Sequence, residues 1–144
     1  MRDLVDLVAG AIYTLRITDP AQWALRLAAL VALLGAGALA WVWFPVLLWQ
    51  VLVFILVGAA LWGFLQPDSY GSLVGIGAVA LWWLVGGGGA WWQTALVAVL
   101  LAVHHLATGY AAAAPSYAGI GARGARRMLL WGVGYLGASL AAAA

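Results

Sequence analysis

From Leu27 to Ala122 the chain carries a single formally charged side chain, Asp68. A domain folded in water needs a polar surface, and charged residues ordinarily supply about a quarter of its composition. Here they supply 7%, against 67% apolar residues. A charge at the bilayer centre costs about 2.5–3.5 kcal/mol on insertion scales, so a stretch this empty of charge suits hydrocarbon. The pattern predicts an all-α, polytopic transmembrane helix bundle. With 144 residues there is room for four to five spans and no separate soluble domain.

The first 17 residues read differently. Leu4, Leu7, Val8, Ala11, Ile12 and Leu15 fall on one helical face, with Asp3, Asp6, Tyr13 and Arg16 away from it. Residues 1–17 are therefore expected to form an amphipathic helix lying in the membrane interface or docking on a partner. Asp3 and Asp6 stand where a signal peptide has its basic region, so this segment is not read as a cleavable leader. Residues 18–144 are expected to form one bundle.

Its spans are expected near 21–41, 46–65, 72–85, 91–113 and 128–144. Thr18-Asp19-Pro20-Ala21-Gln22 writes the start of the first: Asp19 can cap, Pro20 suits the first helical position and Gln22 can close a capping box. Arg26, one turn inside, is expected to snorkel back to the headgroups. Pro45, the Gln66–Gly71 turn, the glycines 86–89 and Pro115 separate the spans. The last span, at about 1.5 Å per residue, reaches only about 25 Å. The run Ala141–Ala144 stops abruptly, as a chain that continues would.

With the N-terminus in the cytoplasm, Arg2, Arg16, Arg26, Arg123, Arg126 and Arg127 all lie on the inner side, as the positive-inside rule requires. Trp41, Trp43, Trp49, Trp82, Trp83, Trp91 and Trp92 then form an outer aromatic belt, with Trp23, Trp62 and Trp131 towards the inner face. A multi-pass protein of the bacterial cytoplasmic membrane is the expectation.

Composition also closes off chemistry. There is no Cys, Lys, Glu or Asn, so disulfides, thiolate metal sites and cysteine nucleophiles are excluded. The net charge of +2 comes from arginines at segment ends, not from a basic face of the kind a nucleic-acid reader needs. Four candidate features remain. Ala24, Ala28, Ala32, Ala36 and Ala40 make a ladder with a step of four, suited to close helix packing inside the chain or against a partner subunit or second copy. His104 and His105 lie past the middle of the fourth span, where ionisable residues are rare and face protein or water. His104 shares a face with Thr108, and His105 points about 100° away. They are either packing histidines or, singly, candidates for a haem, quinone or proton-relay role; no second axial His exists on another helix. Asp68 is a cap for the third span, a role Ser69 could share, or an ion pair with the arginines. Arg123, Arg126 and Arg127, if helical, form one stripe for lipid headgroups or an acidic partner.

No nucleophile–base pair or carboxylate pair is visible. The leading expectation is a non-catalytic accessory or scaffolding subunit of a larger membrane complex, of envelope transport or of respiration. A transport component handling lipid or an apolar substrate, a haem- or quinone-associated anchor, and a membrane enzyme are the alternatives. Small four-span drug exporters match poorly, since they need a membrane-embedded Glu.

The Gln66-Pro67-Asp68-Ser69-Tyr70-Gly71 turn entering a Gly/Leu/Val span, the Leu101–Ala107 segment with His104-His105, and the arginine-bearing stretch before the last span resemble those of small multi-span Ala/Gly/Trp-rich membrane proteins of unassigned function from high-GC actinobacteria. The resemblance covers most of the chain. It implies a membrane bundle from such a source, assigns no catalytic residue and does not choose between the functions.

Overall fold

Thr18-Asp19-Pro20 does start a helix. The Asp19 carboxylate accepts the Ala21 N–H at 2.8 Å from an extended backbone, and Pro20 follows in the first turn. In the computed structural model, residues 17–143 are described apart from 46, 48, 116, 118 and 120. The interfacial helix expected over 1–17 lies almost wholly outside the described residues. Among these the regular structure is entirely helical: α1 Pro20–Trp43, α2 Trp49–Leu65, α3 Gly71–Val85, α4 Trp91–Ala113 and α5 Ala122–Ala143.

α1 and α4 are long and apolar enough to cross a membrane, with 24 and 23 residues and mean hydropathies of 2.0 and 1.7. At 1.5 Å per residue they reach about 35 Å, against a hydrocarbon core of about 30 Å. α2 and α3 are as apolar but shorter, at 17 and 15 residues, or about 25 and 22 Å. Two boundaries differ from expectation. α2 begins at Trp49 rather than near 46, because Pro45 pushes Phe44 out of the helical region (φ −133, ψ 79) and the chain needs a few residues to reverse. α5 begins at Ala122 rather than 128, and so takes in all three arginines.

α1 is the hub. Its most extensive contact is with α4, it also packs on α2 and α3, and α2 and α3 form a tight hairpin; α5 rests chiefly on α4. At the centre Leu33 and Ala36 of α1 meet Leu56 and Ala60 of α2, Val79 of α3 and Val97 of α4. Small residues set the distances, since apolar surface gives helices no reason to associate in lipid and close van der Waals packing must do so. A Cβ on Gly71 would stand 2.7 Å from the Gly63 nitrogen and 2.9 Å from the Ala59 oxygen, so α2 and α3 touch backbone to backbone there. A Cβ on Gly37 would overlap the Leu56 side chain.

The α3–α4 turn closes with Gly87 and Gly88 at φ 87 and 77, a conformation costly for any other residue. Beside it lies an aromatic cap. Trp41 stacks on Trp49 at 5.3 Å, Trp43 meets the edges of Trp83 and Trp92, and Phe44 meets Trp83 at 4.8 Å. Trp82 is buried and donates its indole N–H to the Phe44 carbonyl at 2.9 Å. Outward faces stay apolar along the helices: Phe54 is 79% exposed and Leu84 78%.

Candidate functional site

The polar side chains inside the bundle gather at the end opposite the aromatic cap, where α1 starts, α2 ends, α3 starts and α4 ends. His104 is their centre. It is 3% exposed and joins three helices: Nδ1 lies 2.8 Å from the Ala29 carbonyl of α1, and Nε2 lies 2.8 Å from the Ser72 hydroxyl of α3. A carbonyl only accepts, so Nδ1 carries a proton and donates it. Nε2 is then free to accept the Ser72 O–H, and a neutral ring satisfies both contacts. Thr108 belongs to the same face, and its hydroxyl donates to the His104 carbonyl, not to a ring nitrogen, at 2.7 Å. Sequence reasoning misses Ser72. Its signal is a lone hydroxyl one residue after the close-packed Gly71, at the same depth as His104.

His104 offers no free ring nitrogen to a haem iron. Both ring nitrogens of His104 are engaged within the bundle, while His105 is exposed on the outer side of α4. No group of three His, Asp or Glu side chains that could hold a metal ion is found among the described residues.

Arg26 is the second buried polar group, 9% exposed. It does not extend back towards solvent. Its guanidinium lies over Trp23, 5.9 Å from the ring centroid, and donates to the carbonyls of Phe64 and Leu65 at 3.5 and 3.4 Å. These are the last carbonyls of α2, left without helical partners and at the negative end of its dipole, so a cation there is favourable. Gln22, one turn before, is wholly buried. It closes no capping box: neither of its side-chain polar atoms, nor Nε of Arg26, has a hydrogen-bond partner.

Asp68 does not cap α3. The Gly71 N–H is taken by the Ser69 hydroxyl at 3.2 Å, and the N-cap position falls on Tyr70. Asp68 is exposed in the turn, and its charge acts on Arg26.

Arg123, Arg126 and Arg127 lie in the first two turns of α5, all exposed, and with Gly124 and Leu130 they line a surface hollow of about 410 Å³. Gly119, in the segment leading to α5, approaches the Asp19 carboxylate, so this stripe stands at the same end as Asp19 and Arg26. The alanine ladder divides. Ala32, Ala36 and Ala40 are buried between helices, while Ala24 and Ala28 are exposed. A further apolar groove of about 330 Å³ runs between α3 and α4, lined by Val79, Ala80, Trp83, Thr94, Val97 and Leu101 among others.

Comparison with known protein families, with characterised proteins and with solved structures finds no match for this chain.

Proposed function

We propose that the chain is a multi-pass protein of a bacterial cytoplasmic membrane, crossing four to five times with its arginine-bearing end in the cytoplasm, and that it serves as a non-catalytic accessory or scaffolding subunit of a larger complex of envelope transport or respiration. The length and apolarity of α1 and α4 support the membrane reading. So do outward-facing side chains such as Phe54 and Leu84, since a water-soluble monomer rarely exposes apolar surface along whole helices. Orientation is supported by the gathering of Arg26, Arg123, Arg126 and Arg127 at one end and of the tryptophan cap at the other.

One observation carries the scaffolding reading: small residues suited to close helix approach are left over on the outside. Ala24 and Ala28 continue the buried ladder of α1 but are exposed, and a Cβ on Gly134 or Gly137 of α5 would meet nothing within 4 Å. In lipid such surfaces serve the approach of another helix. The test is the mass of the particle extracted from native membranes into polymer-bounded discs. A particle heavier than the 15.0 kDa chain, holding a second protein at fixed stoichiometry and losing it on Ala24→Leu with Ala28→Leu, is the expected result. A monodisperse single copy contradicts the proposal.

The α3–α4 groove favours a second reading, a lipid-handling component, since its lining is almost wholly apolar and suits an acyl chain. Lipid flux in proteoliposomes that is abolished by Ala80→Trp would select it over the scaffold.

A further inference from the structure

We propose that Arg123, Arg126 and Arg127 form a binding site for the phosphate of an anionic phospholipid, whose acyl chains run along the apolar face of α5 immediately beyond. The inference rests on the membrane-spanning reading above and names the partner of one surface within it.

The charges of the three arginines do not favour α5. They stand in its first turns, where the helix dipole disfavours cations. Arg123 to Arg126 and Arg123 to Arg127 are like charges at i, i+3 and i, i+4, a repulsive spacing. No acidic residue occurs anywhere in α5 to offset them. Of the carboxylates among the described residues, Asp19 caps α1 and the charge of Asp68 acts on Arg26. Among the described residues the α5 stripe is therefore a concentration of positive charge with no ion-pair partner, set around a hollow, with guanidinium forks suited to two oxygens of one phosphate.

The surface next to the hollow selects the source of the phosphate. Leu130, three residues after Arg127 and four after Arg126, also lines it, and the neighbouring Leu129, Trp131 and Val133 are all exposed. A soluble anion would have no use for apolar surface directly beneath its site. A diacyl lipid would cover both parts at once, headgroup on the arginines and chains on the leucines. Trp131 lies one turn from Arg127 on the same face and is 72% exposed, so it reports on whatever sits there.

The experiment uses the full chain in phosphatidylcholine discs, with Trp131 fluorescence taken as the difference between the wild type and Trp131→Phe. Phosphatidylglycerol or phosphatidylcholine, each with chains brominated near the headgroup, is added as a minor component. We expect brominated phosphatidylglycerol to quench at a mole fraction at least tenfold lower than its phosphatidylcholine counterpart. Each single Arg→Gln change should weaken that preference by about fivefold, and the triple R123Q/R126Q/R127Q chain should lose it. The arginines are exposed, so unchanged helicity in the variants separates loss of binding from loss of fold. Equal quenching by the two lipids overturns the proposal and leaves the stripe to an acidic protein surface. Relief of the preference by millimolar inorganic phosphate also overturns it, in favour of a soluble anion. No quenching by either lipid would instead remove α5 from the bilayer and strike at the membrane reading of that helix.

Discussion

A buried imidazole is costly unless both nitrogens find partners, and His104 finds them on two other helices. The same ring that could have bound a cofactor is therefore committed to holding α1, α3 and α4 together. Interhelical hydrogen bonds in lipid contribute modestly, about 0.6 kcal/mol on average and up to about 1.7. His104→Phe, which removes both, should cost about 1–3 kcal/mol of bundle stability, while Ser72→Ala should cost about half as much. His105→Ala, on the outer side, should stay within about 0.5 kcal/mol. Unfolding in mixed micelles measures all three, and equal effects at positions 104 and 105 would contradict the clamp. His104 is legible in the sequence as an ionisable group that must face protein, because position along an apolar span implies that much. Its partners are not, since Ala29 contributes only backbone and a lone Ser carries no directional signal. Gln22 and Arg26 mislead for a related reason. Local rules predict a capping box and a snorkelling side chain, but the last carbonyls of α2 stand close enough to draw Arg26 inward.

Between elements, glycine and alanine decide how near two helices come. Gly71 is the sharpest case, because its neighbours are backbone atoms of α2 that cannot rotate away. Gly71→Ala should force α2 and α3 apart and cost about 1–3 kcal/mol. Gly58→Ala, with nothing within 4 Å of the added Cβ, should be neutral or slightly stabilising through helix propensity. Thermal unfolding of the two variants side by side checks the contrast. Helix existence is readable from apolar runs and turn residues, and the span expected at 91–113 coincides with α4. The boundaries at α2 and α5 are harder to read. Pro45 looks like an opening residue, although its effect on Phe44 delays the next helix. The arginines before Met128 look like loop because charge ends a membrane span. Charge does not end a helix, however, and Ala and Arg are among the best helix formers, so α5 runs on through them.

Across the whole molecule the ends are chemically opposite. One carries stacked tryptophans and a glycine turn, the other Arg26, Asp19, Asp68 and the α5 stripe, and apolar surface lies between. That polarity is the most legible property of all, since it comes from where charges and indoles occur along the chain once successive apolar helices alternate in direction. Helix length is less so: α2 and α3 come out at 17 and 15 residues, shorter than α1 and α4. The absence of cysteine from the sequence makes the decisive measurement direct. Single Ala90→Cys and Gly121→Cys chains, the first just before α4 and the second just before α5, are treated in intact cells with a membrane-impermeant maleimide. Labelling of Ala90→Cys in intact cells, and of Gly121→Cys only after the membrane is opened, is the predicted result; labelling of both, or of Gly121→Cys alone, before permeabilisation would contradict it.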